Sequence, residues 1–141
     1  MSDGQGHTSQ AIPITIQVGI PPTVTIAVPA DESRYRAGDT ITYNAFASDG
    51  AGFDLNDKDI KTSVLLHHGT HTHPFAGPLT GRAGSFTIPA TGETSADTWY
   101  GITVTATDSN GLSTAKTIEI RPITSTFTVT TDRRAFPRTW T

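Results

Sequence analysis

The chain has 141 residues, a net charge of −3, only 16% charged residues and no cysteine, a size that suits one domain with its own core. The low charge leaves no basic stripe for a phosphate backbone, which excludes nucleic acid as an expected partner. Disulfide and thiol chemistry are excluded with the cysteines, although export is not. No run approaches a membrane span, and the opening MSDGQGHTSQ lacks the basic and apolar regions of a signal peptide. Thr, Ser, Gly, Ala and Pro dominate while Lys, Glu and Leu are scarce, which favours a piece of a larger exported polypeptide, with Met1 added for expression. The expected location is extracellular or the cell surface.

In chain order, alternation begins at Ile12, Ile14, Ile16 and Val18, before the break GIPP at 19–22. Residues 1–20 therefore read as an edge strand, the end of a preceding module, or a strand donated to an identical subunit. Val24, Ile26 and Val28 follow, then a loop over Pro29 to Asp39, then Ile41, Tyr43 and Ala45. After SDGAG at 48–52 come strands over Ser63 to His68, Ser85 to Ile88, and Tyr100 to Ala106. The turn DSNG at 108–111, whose Ser109, Asn110 and Gly111 suit positive φ, joins the last of these to a strand through Ile118 and Ile120. Phe127 and Val129 continue the alternation, and a polar tail closes the chain. No helical stripe of useful length interrupts the series. The expected fold is an all-β antiparallel two-sheet sandwich of about 7–8 strands. It covers residues 21–122, with 123–141 as an additional strand and extension.

Four of the five histidines lie in VLLHHGTHTHPF, residues 64–75. His71 and His73 have the i, i+2 spacing that sends both imidazoles to one face of a strand, as a zinc or similar divalent site requires. His67 and His68 point to opposite faces, so one of them can join that pair, with Asp49, Glu93, Asp97 or Asp108 as a further ligand. The same cluster has a purely structural reading, in which the rings donate to loop carbonyls and stack on Pro74, Phe75 or Trp99. Nothing marks a general base or an oxyanion donor beside it, so no enzyme is expected. A second cation site, for calcium, is suggested by Asp54, Asn56, Asp57 and Asp59, set against a solvated turn that caps its own backbone. Trp99 is out of phase with the inward Tyr100 series, which allows either a sugar contact or packing under the histidine loop. Arg133, Arg134 and Arg138 read as a solvated end.

YRAGDTITYNAFASD followed by TWYGITVTATDSNGLSTAKTIEIRP resembles PKD and related immunoglobulin-like modules of exported bacterial proteins. More specifically, VLLHHGTHTHPF with GSFTIP at 84–89 and ATDSNGL at 106–112 looks like the module attached to secreted glucose/sorbosone dehydrogenase-type and other carbohydrate-active proteins. The resemblance implies a non-catalytic accessory or spacer module whose partners are neighbouring modules of a parent polypeptide. Carbohydrate binding is the first alternative. A filament or surface assembly built by donation of residues 12–18 is the second. The catalytic propeller of those dehydrogenases is absent, so redox activity does not carry over. Such modules often place two cysteines between the histidine pairs, where this chain has only Gly69 and Thr70.

Overall fold

Alternating apolar residues become strands here wherever a second sheet buries one of their faces. The computed structural model describes residues 13–14, 18–91 and 95–131. Its strands are β1 (Thr23–Val28), β2 (Ser33–Tyr35), β3 (Thr40–Ser48), β4 (Ile60–His68), β5 (His71–Thr80), β6 (Ala83–Thr87), β7 (Thr98–Thr107) and β8 (Ser113–Pro122), with one 3-10 turn at Asp57–Asp59. A three-stranded sheet, β1-β3-β6, packs on a five-stranded sheet, β2-β8-β7-β4-β5. The product is the expected all-β sandwich.

Three details differ from the sequence reading. The ladder is not wholly antiparallel, because β2 runs parallel to β8 with Ser33 opposite Ile120. The sequence predicts a loop there; the segment pairs because Asp31 accepts from the Glu119 N–H at 2.8 Å and Glu32 N–H donates to the Glu119 carbonyl at 2.7 Å, which carries the chain across to the second sheet. β5 was also not anticipated at its full length, since its exposed edge position leaves it with no regular burial pattern. Residues 123–131 form no strand, and Phe127 and Val129 are exposed. Of the proposed donor segment, Ile12 and Ile16 lie outside the described residues, while Ile14 and Val18 are exposed and outside any strand.

The core is graded along the strands. At one end Tyr35, Tyr43, Phe86 and Tyr100 pack with Val64, Ile102 and Ile120; at the other, Ala45, Ala47 and Ala106 pack with Ile60 and Val104. Rings occupy more volume than alanines, and the two ends are named the wide and the narrow end for the side chains that fill them. The β7–β8 turn at the narrow end forms as expected. The Asp108 carboxylate accepts from the N–H groups of Asn110 and Leu112, both at 2.9 Å. Only Gly111 of this turn takes positive φ, at 82°, and Ser109 and Asn110 do not; the aspartate side chain performs the turning that their left-handed conformations would otherwise supply.

Candidate functional site

The histidines sit on the β4–β5 hairpin at the wide end of the sandwich. Gly69, at φ 57°, makes the turn, and its N–H donates to the Asp97 carbonyl at 3.1 Å, tying the tip to the segment before β7. Register decides which rings meet. His68 stands opposite His71 on one side and Thr98 on the other, while Leu66 stands opposite His73 and Tyr100. Since Thr98 and Tyr100 point into the sandwich, His68, His71 and His73 share the inner side, and His67 alone turns outward. Ring centroids are 5.3 Å apart for His68 and His71 and 5.1 Å for His71 and His73. The expectation that only one of the first two histidines joins the HTH pair is what the register produces, and the one that joins is His68.

On the outer face His67 stacks on Trp99, with centroids 4.8 Å apart and planes inclined by 13°. Gly101 makes room for this, because a Cβ there would stand 3.0 Å from His67 Nε2. The Arg121 guanidinium carbon lies 5.1 Å from the centre of the Trp99 ring. It is held by Glu32 at 2.8 Å and by Glu119, and hydrogen bonding to Glu32 raises its pKa against an opposing desolvation. Trp99 does face away from the Tyr100 series, as its phase demanded, and its ring is half-buried among these neighbours. The indole Nε1 is buried without a partner among the described residues.

The candidate carboxylates separate. Asp108 follows the far end of β7, a ten-residue strand of about 33 Å, and Asp49 lies beside it at the narrow end. Neither reaches the histidines. Each instead caps its own loop: the Asp49 carboxylate accepts from the N–H groups of Ala51 and Phe53 at 2.9 Å. Asp97 is the carboxylate near the hairpin, with Oδ2 3.9 Å from where a Cβ on Gly69 would be; Glu93 lies outside the described residues. Among the described residues no group of three or more His, Asp or Glu side chains is already arranged to hold a metal ion.

In the acidic loop, Asp54 and Asp57 both bind Arg82, at 3.0 and 2.5 Å. The same guanidinium donates to the Leu55 carbonyl. Asp59 pairs with Lys58 at 3.2 Å, and Asn56 precedes the 3-10 turn without a side-chain cap. The cation that these two aspartates hold is therefore a side chain of β5–β6. Sequence reasoning missed Arg82, whose separation from Asp57 by 25 positions leaves no local signal. No helix among the described residues is long and apolar enough to cross a membrane. Comparison of the chain with protein-family models, curated proteins and solved structures finds no match.

Proposed function

We propose that the protein is a non-catalytic spacer module of an exported bacterial polypeptide, with its histidine hairpin as a structural feature of one end. The observation that carries this is where the chain enters and leaves the sandwich. It enters at the narrow end, where Gly19 and Ile20 seat against Leu112 and Gly50: Cβ atoms added to the two glycines would stand 2.7 Å from Leu112 Cδ1 and 2.6 Å from Ile20 Cβ. It leaves at the wide end, where the Ile123 N–H donates to the Tyr35 carbonyl at 2.9 Å. Ten residues of β8 separate the two, about 33 Å. A module threaded from end to end spaces its neighbours, whereas termini at one end would hang it as a side branch. The threonine-rich, helix-poor composition and the resemblance to PKD-type modules support the exported setting.

The absence of native cysteine makes the test direct. Spin labels at Val18→Cys and Ser125→Cys should give one narrow distance distribution, centred roughly at 30–45 Å. A mean below about 20 Å, or a distribution without a defined peak, would sink the spacer reading.

The ring spacing on the hairpin favours a second reading, in which a divalent transition metal pins the tip. Imidazoles on one tetrahedral ion sit at centroid separations of about 5 Å, close to the 5.3 and 5.1 Å seen here. His71 and His73 are exposed and can rotate onto an ion with little loss of packing, with Asp97 as the nearest carboxylate. Zinc titration followed calorimetrically should show one site that His71→Ala and His73→Ala each weaken by tenfold or more, while His67→Ala leaves it intact. Equal loss in all three histidine variants, or no heat of binding at all, would refute the metal.

A further inference from the structure

The five-stranded sheet has two strands more than the sheet that faces it, and its edge strand β5 has no fully buried residue. At the wide end lies a groove of about 540 Å³, open on one side to solvent, to which β5 contributes Phe75. Its inner wall is apolar, with Leu66, Phe75, Ile88 and Tyr100, while the exposed hydroxyl residues Thr91, Thr124 and Ser125 stand at its mouth. No charged side chain lines it. An occupant that suits both parts has one apolar side, one polar side and no charge to desolvate.

The segment IPITIQV at 12–18 has that character. Ile12, Ile14, Ile16 and Val18 fall on one side of an extended chain, Pro13, Thr15 and Gln17 on the other, and no charged residue occurs from Thr8 to Ile20. Ile14 and Val18 are 86% and 92% exposed, so their own molecule does not bury them. Nor can the segment fill the groove of its own chain. It joins the sandwich at the narrow end, through Gly19 and Ile20, whereas the groove lies at the wide end beside Ile123, about 33 Å away along β8. Seven residues extend at most about 25 Å, and Ile16 and Val18 are tethered close to the narrow end. We propose that the groove receives residues 12–18 of a second copy of this chain. The isoleucines lie against Leu66, Phe75 and Ile88, and Thr15 and Gln17 turn to the hydroxyls at the mouth. The free edge of β5 offers backbone groups to the added strand. Pro13 lacks one N–H, which a strand paired along a single edge tolerates. Because donor and acceptor sit at opposite ends of the molecule, the contact is heterologous and repeats into linear head-to-tail chains instead of closing as a symmetric dimer. The proposal goes beyond the spacer reading, and its failure would leave that reading standing, since a spacer need not bind copies of itself.

The test uses the full chain. Sedimentation over roughly 5–500 µM should show dimers and then longer species growing with concentration, with an apparent Kd on the order of 10–100 µM. Two variants at exposed positions separate the halves of the contact. Ile14→Asp with Val18→Asp spoils the donor, and Ala96→Arg, in the groove lining, blocks the acceptor. Each variant alone should be monomeric. Mixed in equal amounts they should form a dimer and nothing larger, because A96R still donates and I14D/V18D still accepts. A parent chain that stays monomeric at the highest concentration, association that survives in either variant, or a mixture without dimer would each overturn the proposal. Should A96R fail to fold by circular dichroism, Thr91→Arg at the mouth of the groove takes its place in the same mixture.

Discussion

Arg82→Ala removes the side chain that gathers Asp54, Leu55 and Asp57 of the 49–59 loop, which the Leu55 N–H also ties to the Ala47 carbonyl. The side chain is 25% exposed and reaches three acceptors: Asp57 through Nε, Asp54 through Nη1 and the Leu55 carbonyl through Nη2. Asp54 and Asp57 are 69% and 66% exposed, so each ion pair is heavily screened and contributes about 0.5 kcal/mol. The Leu55 contact is better shielded and contributes about 1 kcal/mol. The expected loss is therefore about 2 kcal/mol, which for a domain of this size lowers Tm by roughly 8–15 °C. Urea unfolding should give the same difference through the midpoint, with an unchanged slope. Arg82→Lys should recover less than half, because one ammonium cannot face three acceptors set around a planar fork. The arginine pKa is raised, chiefly by the hydrogen bonds to Asp57 and Asp54. A raised pKa in a base means that its stabilisation is fully present below the unfolded value and is lost only as the pH climbs through the folded one. The difference between R82A and the parent should thus be flat from pH 6 to 9. Full rescue by lysine, or a loss under about 0.5 kcal/mol, would refute the fork argument.

Two further substitutions test the scaffold. Gly77→Ala should cost about 2 kcal/mol or more, since φ is +95° and the new Cβ would lie 2.5 Å from the Thr62 carbonyl oxygen and 3.0 Å from Ser63 Cα. Gly52→Ala, at φ +90° with nothing within 4 Å, should cost only about 1 kcal/mol; equal losses in thermal unfolding would show that the close approach does not matter. Ile102→Ala empties a fully buried position between the two halves of the core and should cost about 3–4 kcal/mol. A loss below about 1.5 kcal/mol in denaturant unfolding would mean that the sheets close over the cavity.

The sequence alone determined what depends on local chemistry. Period-two alternation in Tyr100–Ala106 specified a buried strand, because inward and outward positions differ in side-chain type at every step. DSNG specified its turn, because the Asp108 carboxylate satisfies the turn's own N–H groups within four residues. The i, i+2 spacing of His71 and His73 specified a common face for the same reason of pleat. Tertiary structure decided whatever depends on partners distant in sequence. That His68 rather than His67 joins the pair follows from β4 lying between β5 and β7, which puts Tyr100 and Thr98 on its inner side. Alternation that looked equally good at Phe127 and Val129 formed no strand, since alternation supplies a face to bury and cannot supply the sheet edge and opposing layer that bury it. Arg121 meets Trp99 through the β7–β8 register within one sheet, while Arg82 meets Asp57 and the groove opens beside Thr98 where separate parts of the chain pack together; no short stretch of chain contains that distance information.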